Sequence, residues 1–432
     1  MNILMMSNTY KPIIGGIEKS IEVFSRELRR RNHRVVIVAP EFRGFKDKEK
    51  DIIRVPAIQN FNGTDFSVKL PVPGMLADFF KTFEPDIVHS HHPFLIGDTA
   101  LRISLGRDAP LVFTHHTMYE KNTHYVPGDS EILKKFVIEL STGYANLCDL
   151  VLTPSRSLKE LLVKRGVKSE FKVVPTGIYL RELEGASPRK FREKYNIPAE
   201  AFVIGYLGRI AEEKNIMFLA EAVAEFTKGE EGIHFLIAGE GTELEKVKDF
   251  FSNHNMEDRF HSTGIVEGRD IRDAYAAMDV FGFSSDSETQ GIVVLEAMAA
   301  GVPVVALEAT GVRDVVRDKV NGCLVSGLKK SDFLDAFRYV YNLPAERRRQ
   351  MGKEARSTAA GFSVDKSIEK LTLSYRRVRE KKRKVDIKKN NSLSGIRQKI
   401  KAEIELAGNF GKALTTAFER TLPKNISGEY ER

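Results

Sequence analysis

Two carboxylates and two cations carry most of the chemical promise of this 432-residue chain. Glu288 and Glu296 are separated by seven residues, and Arg209 and Lys214 by four. Gly208-Arg209 ends the apolar run 202–207, with Lys214 just beyond. A planar guanidinium fork beside a point-charge ammonium suits a diphosphate. A solvated loop is the competing reading, because Glu212 and Glu213 lie between the two cations. Glu288 lies in the polar stretch 284–291, after the apolar run 280–283. Gly291 then opens an apolar helix in which Glu296 stands between Leu295 and Ala297. A carboxylate in such a helix is seldom buried without a partner. The amides of Thr289, Gln290 and Gly291 and the positive helix end favour an anion. Glu288 and Glu296 are placed to grip hydroxyls on either side of it, although an exposed helix face would also account for Glu296.

Histidines form the second group. Five of the ten fall within residues 89–116: His89, His91, His92, His115 and His116. His115-His116-Thr117-Met118-Tyr119 follows the apolar run 111–114, and His124-Tyr125 comes soon after. A histidine at a strand end can donate a hydrogen bond to a reacting sugar hydroxyl. Side chains on extended chain alternate faces, so only one of His115 and His116 is expected to face a ligand. No cysteine or acid stands at metal-ligand spacing, so no metal is expected. Gly15-Gly16 follows the first apolar run and precedes a helical pattern at 17–31. Glycines there let backbone approach phosphate at a helix N-terminus. The spacing is not GxGxxG, and a tight turn explains it equally well.

These residues need elements to hold them. Apolar runs of four or five residues, rich in β-branched types, alternate with helical periods. That is the signature of parallel sheets covered on both faces. The alternation pauses at 176–200, where Gly177, Gly185, Pro188 and Pro198 fall, and then restarts. We expect an α/β chain of two doubly wound, Rossmann-like domains: 1–180 and 181–362. A helix at 363–384 and a basic tail at 385–432 follow. Doubly wound sheets bind ligands at the carboxyl ends of their strands, so the two domains are expected to face each other across a cleft.

Composition excludes several classes. Hydrophobic residues at 42% and charged residues at 29% are those of a globular protein. Two cysteines, Cys148 and Cys323, make no disulfide framework. There is no signal-like N-terminus and no spanning segment, so a cytoplasmic or peripheral membrane location is expected. The net charge is +8, of which residues 376–389 hold +7 and 390–432 hold +2, leaving the body at −1. Such a body argues against a nucleic-acid partner. Beyond the basic run, Ile396, Ile400, Ile404, Ala407, Leu414 and Phe418 recur at helical spacing. They predict an amphipathic helix that docks on an anionic membrane, broken near Gly408 and Gly411.

Taken together, Gly15-Gly16, Gly208-Arg209 with Lys214, and Glu288 with Glu296 resemble the family-4 retaining glycosyltransferases of the GT-B fold, over about residues 1–380. The resemblance implies a nucleotide-sugar donor and no cofactor. It assigns Arg209 and Lys214 to the diphosphate, Glu296 to the ribose, and Glu288 with the amides of Thr289, Gln290 and Gly291 to the transferred sugar. Gly15 and Gly16 join the donor site from the first domain. It selects His116 over His115 as the histidine that acts in transfer. The stretch around His116 and the Gln290-Gly291 pair further resemble bacterial diacylglycerol glucosyltransferases. That implies glucose from UDP-glucose, a lipid acceptor, and acceptor contacts by Tyr119, His124 and Tyr125. Transfer to a polysaccharide, a phosphoinositide or a small sugar is the alternative, and a non-catalytic nucleotide-sugar sensor is the rival of another class.

Overall fold

The computed structural model describes residues 1–58, 68–69, 76, 78–123, 130–230, 232–387 and 392–419. The chain divides into two compact units. The first contains Met1–Thr153, Lys159–Val174 and Lys370–Arg432; the second contains Pro154–Leu158 and Pro175–Glu369. The C-terminal segment therefore groups with the beginning of the chain.

In the first unit the order is β1 (Asn2–Met6), α1 (Gly16–Arg30), β2 (Arg34–Pro40), β3 (Ile52–Val55) and the short pair β4 (Ala57–Ile58) and β5 (Val68–Lys69). Then come β6 (Ile87–Ser90), α2 (Ile96–Gly106), β7 (Leu111–Thr114), α3 (Glu131–Leu147), β8 (Leu150–Thr153), α4 (Arg156–Lys164) and β9 (Phe171–Val173). Seven strands form one sheet in the order β3-β2-β1-β6-β7-β8-β9, and every pairing is parallel. Ile3, Leu4, Met5 and Met6 are all fully buried, as a strand covered on both faces requires. α3 starts where Ser130 Oγ accepts from the Leu133 amide at 3.2 Å, an N-cap.

The second unit runs α5 (Pro188–Lys194), β10 (Phe202–Leu207), α6 (Ile216–Lys228), β11 (Ile233–Ala238), α7 (Leu244–Asn253), β12 (Phe260–Ser262), α8 (Arg269–Ala276) and β13 (Val280–Phe283). It continues through α9 (Ile292–Ala299), β14 (Val304–Leu307), β15 (Gly322–Val325), α10 (Lys330–Tyr341) and α11 (Ala345–Ala360). Its sheet is parallel, in the order β12-β11-β10-β13-β14-β15. In each sheet the chain winds outward one way and then returns to wind the other way. The reversal lies between β1 and β6 in the first sheet and between β10 and β13 in the second. Such a switch point opens a crevice at the strand carboxyl ends, because the loops on either side diverge.

Two helices close the described chain, α12 (Val364–Ile387) and α13 (Ser392–Glu419). Four of the nine cations of the basic run pair, from α12, with acids of unit 1. Arg379 pairs with Asp86, Lys382 with Asp149 at 3.7 Å, and Arg377 and Lys381 with Glu170 at 3.7 and 3.4 Å. Those acids directly precede β6, β8 and β9. α13 lies along α3: Phe410 meets Phe136 edge-on at 5.5 Å, Lys412 pairs with Glu139 at 3.2 Å, and Asn409 packs on Gly143. Arg102 of α2 makes a two-pronged pair with Glu403 at 2.6 and 3.0 Å. The expected break at Gly408 and Gly411 does not occur, since α13 is continuous through both. A helical glycine costs ~1 kcal/mol relative to alanine, and burial of Ala402, Ala413 and Ala417 on the docked face offsets it. Among the described residues no helix is long and apolar enough to cross a membrane.

Candidate active site

The second unit gathers the predicted cations and carboxylates at its switch point. Arg209 and Lys214 leave from β10, and the 284–291 loop leaves from β13. Side chains stitch the two loops together. Ser284 Oγ donates to the carbonyls of Lys214 and Asn215 at 2.9 Å, and Ser285 Oγ donates to that of Glu213 at 3.2 Å. Asn215 donates in return to the Ser284 carbonyl at 3.1 Å. Lys214 Nζ then reaches Glu288 Oε2 at 3.2 Å, so one predicted phosphate ligand is paired with one predicted sugar ligand.

Glu288 also accepts from the Gly291 amide at 3.1 Å and the Gln290 amide at 3.4 Å. Burial alone would raise this carboxyl. The Lys214 ammonium and those amides outweigh burial and hold it below the usual carboxylate range. Two of the amides that the resemblance gives to the donor sugar are thus bonded to Glu288 itself. Gly291 sits at φ +77° as the N-cap of α9, a left-handed conformation that favours glycine.

Arg209 is exposed, and its guanidinium pairs with Glu213, whose side chain is only 5% exposed. Glu296 is half-buried on α9 and accepts from the Tyr275 hydroxyl of α8 at 3.0 Å. The Gln290 side chain turns away from a ligand role. It is buried and bonds both backbone groups of Thr176, its Oε1 accepting from the amide and its Nε2 donating to the carbonyl, each at 2.7 Å. Thr289 is buried beside it. Gly311 supports the same loop from below. Its amide donates to the Glu288 carbonyl at 2.9 Å, and a Cβ there would stand 2.2 Å from the Gln290 nitrogen. Asp314 accepts from the amides of Arg156 and Ser157, the latter at 3.2 Å, and so caps α4. Sequence reasoning did not single out Thr176, Tyr275, Gly311 or Asp314, and named Glu213 only as an acid lying between the two cations. Pro175-Thr176-Gly177 after a strand was a readable turn signal; Tyr275, Gly311 and Asp314 carry none.

In the first unit the histidines collect after β6 and β7. His116 and His115 are both buried, at 9% and 1% exposure. Alternation does separate them. His116 shares a 2.9 Å hydrogen bond with His91, Nε2 to Nδ1, and Thr114 on the same face meets His89 at 2.7 Å. His115 packs on the other side against Phe113 and Tyr119, with ring centroids 5.5 Å away in each case. Burial pushes His115, His89 and His92 down to about 3, and lowers His91 and His116 well below the usual imidazole value. The cluster is therefore neutral at physiological pH. Tyr119 stands between His115 and Phe94. His124 and Tyr125 lie outside the described residues. At the start of α1, Gly15 is extended and a Cβ on it would stand 2.6 Å from Glu18 Oε2. Gly16 has open space around it.

Comparison with known proteins matches residues 14–182 to Glycosyltransferase Family 4 and residues 187–358 to Glycosyl transferases group 1. The chain is 30% identical over 333 residues to the alpha-monoglucosyldiacylglycerol synthase of Streptococcus pneumoniae, covering 76% of each chain. It is 28% identical over 340 residues to the enzyme of the same name from Acholeplasma laidlawii, covering 74% of this chain and 84% of that one. In structure it resembles the Anabaena protein Alr3699/HepE in complex with UDP, with a TM-score of 0.71 at 20% identity. That match covers 87% of this chain and 99% of the other, and it supports the two-domain GT-B fold.

Proposed function

The chain belongs to glycosyltransferase family 4, and we propose that within it this enzyme moves glucose from UDP-glucose to the free hydroxyl of diacylglycerol, with retention. The observation that carries the acceptor and sugar is the 30% identity to an alpha-monoglucosyldiacylglycerol synthase across three quarters of both chains. An α-linked product from an α-linked donor requires retention.

In this reading Arg209 and Lys214 hold the diphosphate, and α9 adds the positive field of its N-terminus. Glu296 binds the ribose hydroxyls and Glu288 the sugar hydroxyls. Gly15 and Gly16 present backbone to the donor, His116 bonds the reacting sugar, and Tyr119 with His124 and Tyr125 contacts the acceptor. The acceptor oxygen bonds to the anomeric carbon on the face that UDP leaves, and its proton passes to the departing phosphate oxygen. No carboxylate is needed as a nucleophile. Catalysis rests on positioning and on stabilising the leaving charge, and the cationic side chains meet that charge without a metal ion.

We further propose peripheral membrane association. Four of the nine cations of the basic run are engaged with Asp86, Asp149 and Glu170, so the helix beyond them is the surface we assign to the role. Ile400, Ile404, Ala407, Gly411 and Leu414 are all exposed on α13, away from its alanine-rich docked face. An apolar helix face beside lysines can lie in a membrane interface.

The test is a donor-by-acceptor matrix. Purified enzyme is given UDP-glucose, UDP-galactose or GDP-mannose, with and without diacylglycerol vesicles, and the lipid products are identified by mass spectrometry. Glucosyldiacylglycerol formed from UDP-glucose alone supports the assignment. Binding of UDP-glucose without turnover on any acceptor would make the protein a sensor.

A further inference from the structure

The hydrogen bond between His91 Nδ1 and His116 Nε2, at 2.9 Å, joins two stacked rings whose centroids are 5.2 Å apart. Burial and the neighbouring histidines keep both rings neutral, and a neutral imidazole carries one N–H. One ring must donate and the other accept. The second nitrogen of His91, Nε2, is buried and meets no hydrogen-bond partner among the described residues. If His91 accepted at Nδ1, its only proton would sit on Nε2 as an orphaned buried donor. If His91 donates at Nδ1, the orphan is a bare lone pair, which is the less costly arrangement. His116 Nδ1 is not among the buried polar atoms that lack a partner, so a proton there is not orphaned; His91 is thus the donor, His116 Nε2 the acceptor, and the proton of His116 lies on Nδ1.

We propose that His91 is a positioning residue that fixes His116 in its Nδ1–H tautomer, so that His116 acts in transfer as a hydrogen-bond donor through Nδ1 and not as a base through Nε2. The proposal rests on the reading of His116 as a ligand-contacting residue. His91 is itself held. Its ring lies on His89 at 4.1 Å, and His89 is fixed at both nitrogens, Nδ1 by the Tyr375 hydroxyl at 2.6 Å and Nε2 by Thr114 Oγ1 at 2.7 Å. Tyr375 is fully buried on α12. A donor role also agrees with same-face transfer, in which the acceptor proton leaves with the phosphate and no imidazole base is called for. A partner that selects the tautomer of an acting histidine changes rates without touching substrate.

The experiment compares His91→Asn, which puts an amide N–H near the place of Nδ1–H, with His91→Leu, which removes the donor at similar bulk. His116→Ala is the control. Steady-state kinetics are read beside the histidine side-chain nitrogen NMR of 15N-His-labelled enzyme. We expect wild type and His91→Asn to show His116 protonated at Nδ1 and bare at Nε2, with kcat within about threefold of each other. His91→Leu should lose that pattern and ~10-fold or more in kcat, with donor KM within about threefold. Protonation of His116 at Nε2 in the wild type overturns the proposal. So does unchanged kcat in His91→Leu when His116→Ala is impaired, or an equal loss in Leu and Asn. Full activity of His116→Ala would instead refute the ligand-contact reading, while the spectrum still reports the tautomer. If His91→Leu does not fold, the wild-type spectrum decides.

Discussion

Replacing Glu288 by glutamine should separate binding from turnover. The Glu288 carboxylate is ionised and 3.2 Å from Lys214 Nζ. At an effective dielectric constant near 20, that attraction is about 5 kcal/mol before desolvation. The side chains are 21% and 18% exposed, which places the pair between an exposed one worth ~0–1 kcal/mol and a fully buried one whose breaking costs ~3–5. A net value of about 2 kcal/mol follows. A glutamine keeps an acceptor for the Gly291 amide but leaves Lys214 without its counter-charge. Lys214 then has more of its field to give to a diphosphate, so UDP should bind equally well or up to ~10-fold tighter, a gain of up to about 1.4 kcal/mol. Turnover should fall ~10- to 150-fold, because a sugar hydroxyl loses a charged acceptor worth roughly 1.5–3 kcal/mol. Isothermal titration with UDP and initial rates at saturating UDP-glucose read the two effects independently. If UDP affinity weakens in step with kcat, Glu288 holds Lys214 in place and does not compete for it, and the reasoning fails.

Arg209→Ala and Lys214→Ala should each lower kcat by ~100-fold. The Arg209 variant should also lower the thermal midpoint, because it takes the guanidinium from a Glu213 side chain that is 5% exposed; near-normal turnover in either would remove it from the diphosphate. Glu296→Gln should weaken UDP binding by ~10-fold or more. Tyr275→Phe, which deletes only the 3.0 Å bond to that carboxylate, should weaken it less, and the reverse order would give Glu296 a structural role. Stability should fall as pH drops. His234 is pushed down to about 4 and His261 is also lowered, both chiefly by burial. The unfolded chain therefore takes up protons below ~6.5 that the folded chain refuses, so the loss runs from about pH 6.5 toward 4. His261 Nδ1 donates to the Tyr195 carbonyl at 3.1 Å, so its Nε2 accepts from His234. His234→Asn should keep that bond and flatten part of the slope, and an unchanged thermal profile would dismiss the pair. The triple change Ile400→Ser, Ile404→Ser, Leu414→Ser should reduce sedimentation with diacylglycerol vesicles several-fold at unchanged UDP affinity, and full retention would move membrane contact elsewhere.

The sheets were legible because burial on both faces turns a strand into an unbroken apolar run. Phe202–Leu207 and Val280–Phe283 announce themselves that way, and the residues just beyond them are then the natural place for chemistry. What stayed hidden are relations between distant positions. The count of +7 over residues 376–389 could not reveal that Asp86, Asp149 and Glu170, one acid ahead of each of three strands, engage several of those cations. Gln290 read as part of a ligand loop, yet its side chain spends both ends on Thr176, 114 residues away. The helix-breaking force of Gly408 and Gly411 is local and weak. The packing of α13 on α3 that overrides it is tertiary, and no window along the chain contains it.

The return of residues 370–432 to the first unit has a consequence for synthesis. The strands of that unit are complete once residue 174 has been made, yet Tyr375, the clamp on His89, comes some 200 residues later. At ~5–20 residues per second, ribosomes need roughly 10–40 seconds to deliver it. Through that interval the outer face of α3 lacks α13, the acids ahead of β6, β8 and β9 lack their cations, and the second unit, whose segment 175–369 is contiguous, can fold first. The unit that begins translation is therefore finished last. Nascent-chain proteolysis should show the first unit remaining cleavable until α12 has cleared the exit tunnel.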